Sequence, residues 1–113
     1  MKHINSMNNK CPIDVGLNII SGKWKLKILW HLSKNTLRFN ELRRKLDNIP
    51  QKSLSLQLHE LESTGLILRK SYNEVPPRVE YSLTELGKNI TPVFSALCDF
   101  GKEYIDSNKY IES

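Results

Sequence analysis

The spacing of apolar residues changes at Gly65, and this change limits which folds the chain can adopt. Before it, in stretches such as "SLSLQLHELE" at 53–62, apolar residues recur every three or four positions, which is typical of amphipathic helices. After it, "RVEYSL" at 78–83 alternates apolar with polar residues, as a half-buried strand does. "LILRKSY" at 66–72 is the candidate partner strand, and "NEVPP" between the two predicts a loop. We therefore expect helices followed by a β-hairpin.

The segments before the hairpin form a helix-turn-helix pattern. Their predicted order is a short helix at 13–20, a largely buried helix at 23–34, a very short strand at 37–39, a third helix at 39–46 and a fourth helix at 50–63. Pro50 is expected to open the fourth helix, because proline is tolerated at the first helical position. Two helices joined by a tight turn and followed by a hairpin form the winged helix-turn-helix layout. The predicted fold is therefore mainly α with a small β-hairpin, in the α+β class.

The segment after the hairpin predicts a long apolar helix. Thr84 is a good N-cap, and Pro92 is expected to kink the helix or divide it in two. The large apolar residues of this helix are Leu86, Ile90, Val93, Phe94, Leu97, Phe100, Tyr104 and Ile105. Because a domain of 113 residues has little surface with which to cover them, we expect a homodimer with the helix at 84–108 in its centre and the first helix beside it. The alternative is a helix that folds back on its own core.

Leu56 is the exception to the pattern of the fourth helix. Leu54, Leu58 and Leu61 share one face, whereas Leu56 points away from them into a polar face. In a helix-turn-helix, the outer face of the second helix enters the major groove, where an apolar side chain can contact a thymine methyl. The other candidate DNA contacts of this helix are Gln51, Lys52, Ser53, Ser55 and His59. The alternative is that Leu56 is a single exposed leucine without a role.

Positive side chains flank the fourth helix, and the net charge of +5 permits an anionic partner. The candidate phosphate contacts are Arg38, Arg43 and Arg44 on the third helix, and Lys70 and Arg78 on the hairpin. A further strip of Lys23, Lys27 and Lys34 on the second helix either touches DNA or keeps that helix soluble. The distribution favours double-stranded DNA as the partner.

Five stretches also carry a family resemblance. They are "CP" at 11–12, "GKWKLKIL" at 22–29, "RFNELRRKL" at 38–46, "KSLSLQLHELESTGLI" at 52–67 and, most specifically, "YNEVPPRVEYSLTELG" at 72–87. Over residues 11–104 the chain resembles the HxlR family of bacterial transcription regulators, which are related to the MarR group. The resemblance implies a homodimer that binds a roughly palindromic operator, with 51–59 as the reading segment, 73–78 as the wing and the terminal helices as the dimer interface. It implies a repressor or an activator, and we expect a repressor.

The turn before the fourth helix departs from the family pattern. Pro50 stands where the family usually has a serine or threonine N-cap. We therefore expect a different cap, with help from Asn48.

The two cysteines, Cys11 and Cys98, lie far apart and in no metal-binding spacing. The resemblance implies that part of the family senses electrophiles or oxidants through a cysteine at the position of Cys11, and Lys10 beside it favours the reactive thiolate. The alternative is an ordinary thiol before a proline. Cys98 is expected to be a buried packing residue on an apolar face. If the N-terminal segment of one subunit crosses the last helix of the other, Cys11 and Cys98 could form an intersubunit disulfide.

Other functions have little support in the sequence. His3, His31 and His59 have no neighbours at the spacing of a catalytic triad or metal site, and no phosphate-binding glycine loop is present, so we expect no enzyme, metal or cofactor. No secretory signal or membrane span is visible, which predicts a cytoplasmic protein that folds as one domain, 1–113. The alternatives that remain are a winged helix for protein contact or for RNA, and a regulator that responds to an unidentified small molecule rather than to oxidation.

Overall fold

The helices and strands follow one another in the predicted order. A computed structural model of the chain describes residues 11–107 and 109. Its elements are α1 (Pro12–Ile20), α2 (Lys25–Lys34), β1 (Leu37–Arg38), α3 (Phe39–Lys45), α4 (Gln51–Ser63), β2 (Ile67–Tyr72), β3 (Arg78–Leu83), α5 (Glu85–Lys88) and α6 (Thr91–Asp106). Pro92 lies in the first turn of α6, so the predicted division of the last helix is confirmed. The arrangement is the predicted winged helix-turn-helix.

The hydrophobic core lies between α2, α3, α4 and the sheet. Its fully buried side chains are Ile28, Leu29, Leu42, Ile49, Leu54, Leu58 and Leu61. The prediction of a largely buried helix is only partly correct for α2, because Trp30 is 43% exposed and Leu26 is half-buried. α2 therefore packs one face on the core and leaves a second apolar face open.

The β2–β3 hairpin, whose connecting segment is the wing, is part of a three-stranded antiparallel sheet with the strand order β1-β3-β2. β2 and β3 form the predicted hairpin, in which Ile67 lies opposite Leu83 and Tyr72 opposite Arg78. The short β1 adds to β3 by pairing Leu37 with Tyr81. Since β1 leads directly into α3, this pairing ties the hairpin to the helix-turn-helix.

The turn between α3 and α4 is built from two left-handed residues and a proline. Asp47 and Asn48 have φ values of 56° and 58°, a conformation that Asp and Asn tolerate better than most residues. Arg43 holds both ends of this turn, because its carbonyl oxygen accepts from the Asn48 amide at 2.9 Å and its Nε donates to the Ile49 carbonyl oxygen at 2.8 Å. Pro50 occupies the N-cap position of α4 without a side-chain cap, so the expectation that Asn48 would help to cap this helix is wrong. Asn48 instead closes the end of α3.

α5 fits closely against the start of β2. Thr84 is the predicted N-cap: its Oγ1 accepts from the Gly87 amide at 3.0 Å and donates to the Gly65 carbonyl oxygen at 2.6 Å. Gly87 is buried, and a Cβ atom at this position would lie 2.1 Å from the Leu66 carbonyl oxygen. The close approach of two backbone segments therefore requires glycine here.

α1 and α6 carry large apolar side chains that the described chain does not cover. Ile13 and Leu17 of α1 are 69% and 59% exposed, and Leu97 and Phe100 of α6 are 52% and 61% exposed. Phe94 is the only residue of α6 that is buried. In the single chain, α6 therefore packs on the core through Phe94 and leaves most of its apolar side chains uncovered. α1 and α6 are each apolar on one side only. No helix in the described part of the chain is long and apolar enough to cross a membrane.

Gly87→Ala is expected to destabilise the protein by about 1 to 3 kcal/mol, because the new Cβ cannot fit beside the Leu66 backbone unless α5 moves. Gly16→Ala in α1 is the matched control. Its Cβ meets no atom within 4 Å, so we expect a change within about 1 kcal/mol, in the stabilising direction of helix propensity. Urea unfolding followed by circular dichroism measures both, and equal stability of the two variants would contradict the packing argument.

Candidate nucleic-acid interface

α4 separates an inner apolar face from an outer polar face. Leu54, Leu58 and Leu61 are at most 2% exposed, whereas Leu56 is 53% exposed. The prediction that Leu56 points away from the core is confirmed. The remaining candidate residues of α4 share the solvent side: Gln51, Lys52, Ser55 and His59 are exposed, and Ser53 is half-buried. The N-terminal half of α4 thus presents one apolar side chain within a polar, hydrogen-bonding surface.

The three arginines of α3 and its N-cap have different environments. Arg44 is exposed, and so is Arg38, whose backbone amide donates to the Glu41 Oε1 at 2.8 Å. Arg43 is half-buried, and its Nε is bonded to the Ile49 carbonyl oxygen. Arg43 therefore stabilises the turn that leads into α4, while Arg38 and Arg44 present their guanidinium groups to solvent.

On the wing, Arg78 is surrounded by partners that we did not predict. Its Nη2 lies 3.0 Å from Glu74 Oε2 and its Nη1 lies 3.5 Å from Glu80 Oε2. Its guanidinium also lies 3.8 Å from the ring centroid of Tyr72, whose hydroxyl donates to Glu80 Oε1 at 3.1 Å. Two carboxylates compensate the charge of Arg78, so this residue orders the base of the wing. The signal in the sequence was the presence of Glu74 and Glu80 within four residues of Arg78.

Lys70, like Arg69, is an exposed cation on β2 of the hairpin. Its Nζ lies 4.9 Å from the ring centroid of Tyr72, on the same aromatic side chain that Arg78 contacts. No carboxylate pairs with Lys70 among the described residues. Unlike Arg78, it therefore keeps an uncompensated charge.

The acidic residue Glu60, in the second half of α4, faces α2. Its Oε1 accepts from Lys25 Nζ, and the Lys25 side chain is only 12% exposed. This ion pair joins two helices across 35 positions of sequence, so no local spacing could have revealed it. It also uses a carboxylate that would otherwise oppose an anionic partner on the surface of α4.

Both cysteines are exposed free thiols. Cys11 is the N-cap residue of α1, and its neighbour Lys10 lies outside the described residues, as does His3. The prediction that Cys98 is a buried packing residue is wrong for the chain. The reason is that α6 packs on the core through Phe94, while the Cys98 side of the helix lines an open cavity. In residues 11–107 and 109, no three His, Cys, Asp or Glu side chains are grouped so that they could hold a metal ion.

Comparisons with known proteins agree with this geometry. The family model described as HxlR-like helix-turn-helix matches residues 19–109. An uncharacterised HTH-type transcriptional regulator of Methanothermobacter thermautotrophicus is 51% identical over 94 residues, which are 83% of this chain and 72% of that protein. The HTH-type transcriptional regulator YdeP of Bacillus subtilis is 47% identical over 103 residues, covering 91% of this chain and 80% of that one.

A solved structure extends the similarity to the fold. The redox regulator HypR in its reduced form superposes with a TM-score of 0.82 at 40% identity, over 88% of this chain and 98% of that chain. The matched proteins are regulators rather than enzymes. A winged helix-turn-helix with an outward polar face on its second helix, a matching family model and relatives of this similarity lead to one conclusion: the chain belongs to the HxlR-like helix-turn-helix family of DNA-binding transcription regulators.

Proposed function

We propose that this protein is a homodimeric repressor that binds a pseudo-palindromic operator by placing α4 in the major groove. The observation that carries the proposal is the outer face of α4, where Leu56 stands exposed among hydrogen-bonding side chains. An exposed leucine is favourable there if it contacts a thymine methyl, and its polar neighbours can donate to and accept from base edges. The proposed base-reading residues are Gln51, Lys52, Ser53, Ser55, Leu56 and His59.

Cations on both sides of α4 support contact with the phosphate backbone. Arg38 and Arg44 precede the reading helix, and Lys70 lies on β2 of the hairpin. Arg43 would offer its Nη groups to a phosphate while its Nε holds the turn. The charge of Arg78 is compensated by Glu74 and Glu80. Its proposed role in DNA binding is therefore to hold the wing in position. Such contacts fix the register and orientation of the protein, while the base contacts of α4 select the sequence.

The uncovered faces of α1 and α6 support a dimer. Val93, Leu97, Phe100 and Tyr104 recur along one stripe of α6, and each is at least 39% exposed in the single chain. A second copy is the natural partner for such a stripe, because a two-fold interface is self-complementary. In this arrangement 84–108 forms the centre of the dimer and α1 lies beside it. The two α4 helices would then read half-sites about one DNA turn apart.

We further propose that Cys11 makes the repressor responsive to thiol oxidation or to electrophiles. Cys11 is exposed at the N-cap of α1, and the similar protein HypR is described as a redox regulator. Cys98 is exposed on α6, so it is available to Cys11 of the second subunit if their Cα atoms come within about 7 Å. An oxidant such as a diazene or a peroxide would accept two electrons and two protons as the two thiols form a disulfide, and the new bond would change the angle between the reading helices.

Arg44→Ala and Leu56→Ala separate phosphate contact from base reading. Arg44→Ala should weaken binding to all duplexes about equally and lower the slope of log K against log salt by about 1. Leu56→Ala should instead change the preference for the operator over an unrelated duplex by about 1 to 3 kcal/mol. Fluorescence anisotropy with DNA from the upstream intergenic region, over a salt series, measures both.

Lys88→Ala is the control for the loss of one positive charge, since Lys88 pairs with Glu85. It should leave both quantities unchanged. If Leu56→Ala has the same preference as the unmodified protein, the proposed orientation of α4 in the groove is incorrect.

Phe100→Lys should convert the dimer to monomer, because it places a charge in the apolar stripe of α6. Ser95→Lys adds the same charge on the opposite side of the helix and should leave the dimer intact. Sedimentation velocity reports the mass, and circular dichroism checks that both variants remain helical. A Phe100→Lys protein that still sediments as a dimer would show that α6 does not form the interface.

Mild oxidation with diamide should lower operator affinity, and Cys11→Ser should abolish this effect. Anisotropy measures the affinity, and a non-reducing gel of Cys98→Ser tests whether the covalent dimer needs both cysteines. Cys98→Ser that still forms the covalent dimer would remove Cys98 from the mechanism. Loss of DNA affinity on oxidation of Cys11→Ser would reject Cys11 as the sensor.

A further inference from the structure

The two neighbouring cations of β2, Arg69 and Lys70, point to opposite faces of the sheet. Successive side chains of a strand alternate between the two faces, and residues paired across two strands share a face. Arg69 lies opposite Tyr81, whereas Lys70 lies opposite Glu80. Because Tyr81 is a buried core residue, Arg69 belongs to the face of the sheet that packs on the helices. We call this side the core face and the side of Lys70 the outer face.

The outer face is occupied by the contacts that order the wing. Lys70 Nζ lies 4.9 Å from the ring centroid of Tyr72, which shares this face. Glu80, opposite Lys70, is held by Arg78 and by the hydroxyl of Tyr72. Lys70 is therefore directed toward a surface that already contains its own aromatic and acidic groups.

Arg69 emerges from the core face beside α4. The strand begins shortly after α4 ends, and α4 is the helix that β2 packs against. Ile67, two residues before Arg69 on the same face, is only 2% exposed, whereas Arg69 is exposed. No carboxylate pairs with Arg69 in the described part of the chain. Its guanidinium is thus an uncompensated cation next to the helix that we propose to enter the major groove.

The backbone of β2 adds free donors on the same strand. β2 is the edge strand of the sheet. The Thr84 amide donates to the Leu66 carbonyl oxygen at 3.0 Å, and in an antiparallel ladder such directly bonded pairs recur at every second residue. Leu68, Lys70 and Tyr72 therefore bond to β3. The residues that alternate with them direct their amides away from the sheet, and they are Ile67, Arg69 and Ser71.

Ser71 completes the group of donors. Two positions after Arg69, it lies on the same face and is exposed. A guanidinium, a hydroxyl and two outward amides therefore line one edge, and DNA phosphates accept from all three kinds of group. Addition of a second β2 to this edge would instead bring the cations of two strands together, which is unfavourable.

We propose that the edge of β2 binds a DNA phosphate through Arg69 and Ser71. The phosphate would belong to the DNA strand that borders the groove occupied by α4, so this inference rests on the proposed function and specifies one of its contacts. Arg69 can offer two parallel N–H groups to the phosphate oxygens. Because a phosphate carries no sequence information, the contact fixes the orientation of α4 rather than the choice of operator. Lys70 acts from the other face and at longer range.

Salt-dependent anisotropy tests the roles of the side chains on two duplexes, one from the upstream intergenic region and one of unrelated sequence. Arg69→Ala should lower the slope of log K against log salt by about 1 on both duplexes. Arg69→Lys retains the charge and should restore most of the slope. Lys70→Ala is the matched control, since it removes the same charge from the adjacent residue, and it should lower the slope by less than half as much. Ser71→Ala removes a neutral donor, so it should weaken binding about threefold without changing the slope.

Amide NMR tests the edge itself. In the protein without DNA, the amides of Arg69 and Ser71 should exchange rapidly with solvent, while those of Lys70 and Tyr72 should exchange slowly. Addition of the unrelated duplex at low salt should shift the Arg69 and Ser71 signals more than the other two.

Three outcomes would overturn the phosphate contact. The first is an Arg69→Ala protein with the salt slope of the unmodified protein, and the second is a loss of slope in Lys70→Ala that equals or exceeds that in Arg69→Ala. The third is slow exchange of the Arg69 and Ser71 amides without DNA, which would assign the edge to a second copy of the chain. Normal DNA binding by Arg69→Ala rejects this contact alone. Failure of the unmodified protein to bind either duplex would reject the proposed function and this contact with it.

Discussion

Burial of three leucines on one side of α4 determines which side of this helix faces solvent. Leu54, Leu58 and Leu61 are essentially inaccessible to solvent, and burial of each leucine contributes about 1.5 to 3 kcal/mol. Rotation of α4 about its axis would expose this face and bury Lys52 and His59, so the helix has one stable orientation. Leu56 and its polar neighbours therefore point outward as a consequence of core packing. The proposed reading surface and the core-facing leucines are thus opposite faces of the same helix.

Ion pairs divide the cations into those that hold the fold and those that remain free. Lys25 joins α2 to α4 through Glu60, and Arg78 holds the base of the wing through Glu74 and Glu80. Arg44 and Lys70 have no such partner among the described residues. The net charge of the chain does not show which cations are paired. The positions of the unpaired cations decide where an anionic polymer would be attracted. The acidic residues are used where they stabilise the elements that flank the reading helix.

α6 takes part in two surfaces that differ in chemistry. Its stripe from Val93 to Tyr104 is apolar and suits a second copy of the same stripe. The adjacent side, with Phe94 and Cys98, lines a cavity together with the tryptophans and lysines of α2. The thiol of Cys98 lies in the wall of this cavity, beside the apolar stripe.

The sequence by itself determined the order and type of the elements, the outward position of Leu56, the cap at Thr84 and the division of the last helix at Pro92. These features depend on local periodicity and on the backbone limits of proline and of capping side chains, which act over a few residues. Only the tertiary structure decided that Lys25 pairs with Glu60, that Cys98 is exposed and that Trp30 lines a cavity. Each of these depends on where a second element comes to lie. The spacing within one helix or strand indicates which face is apolar. It does not indicate which other element, if any, packs against that face.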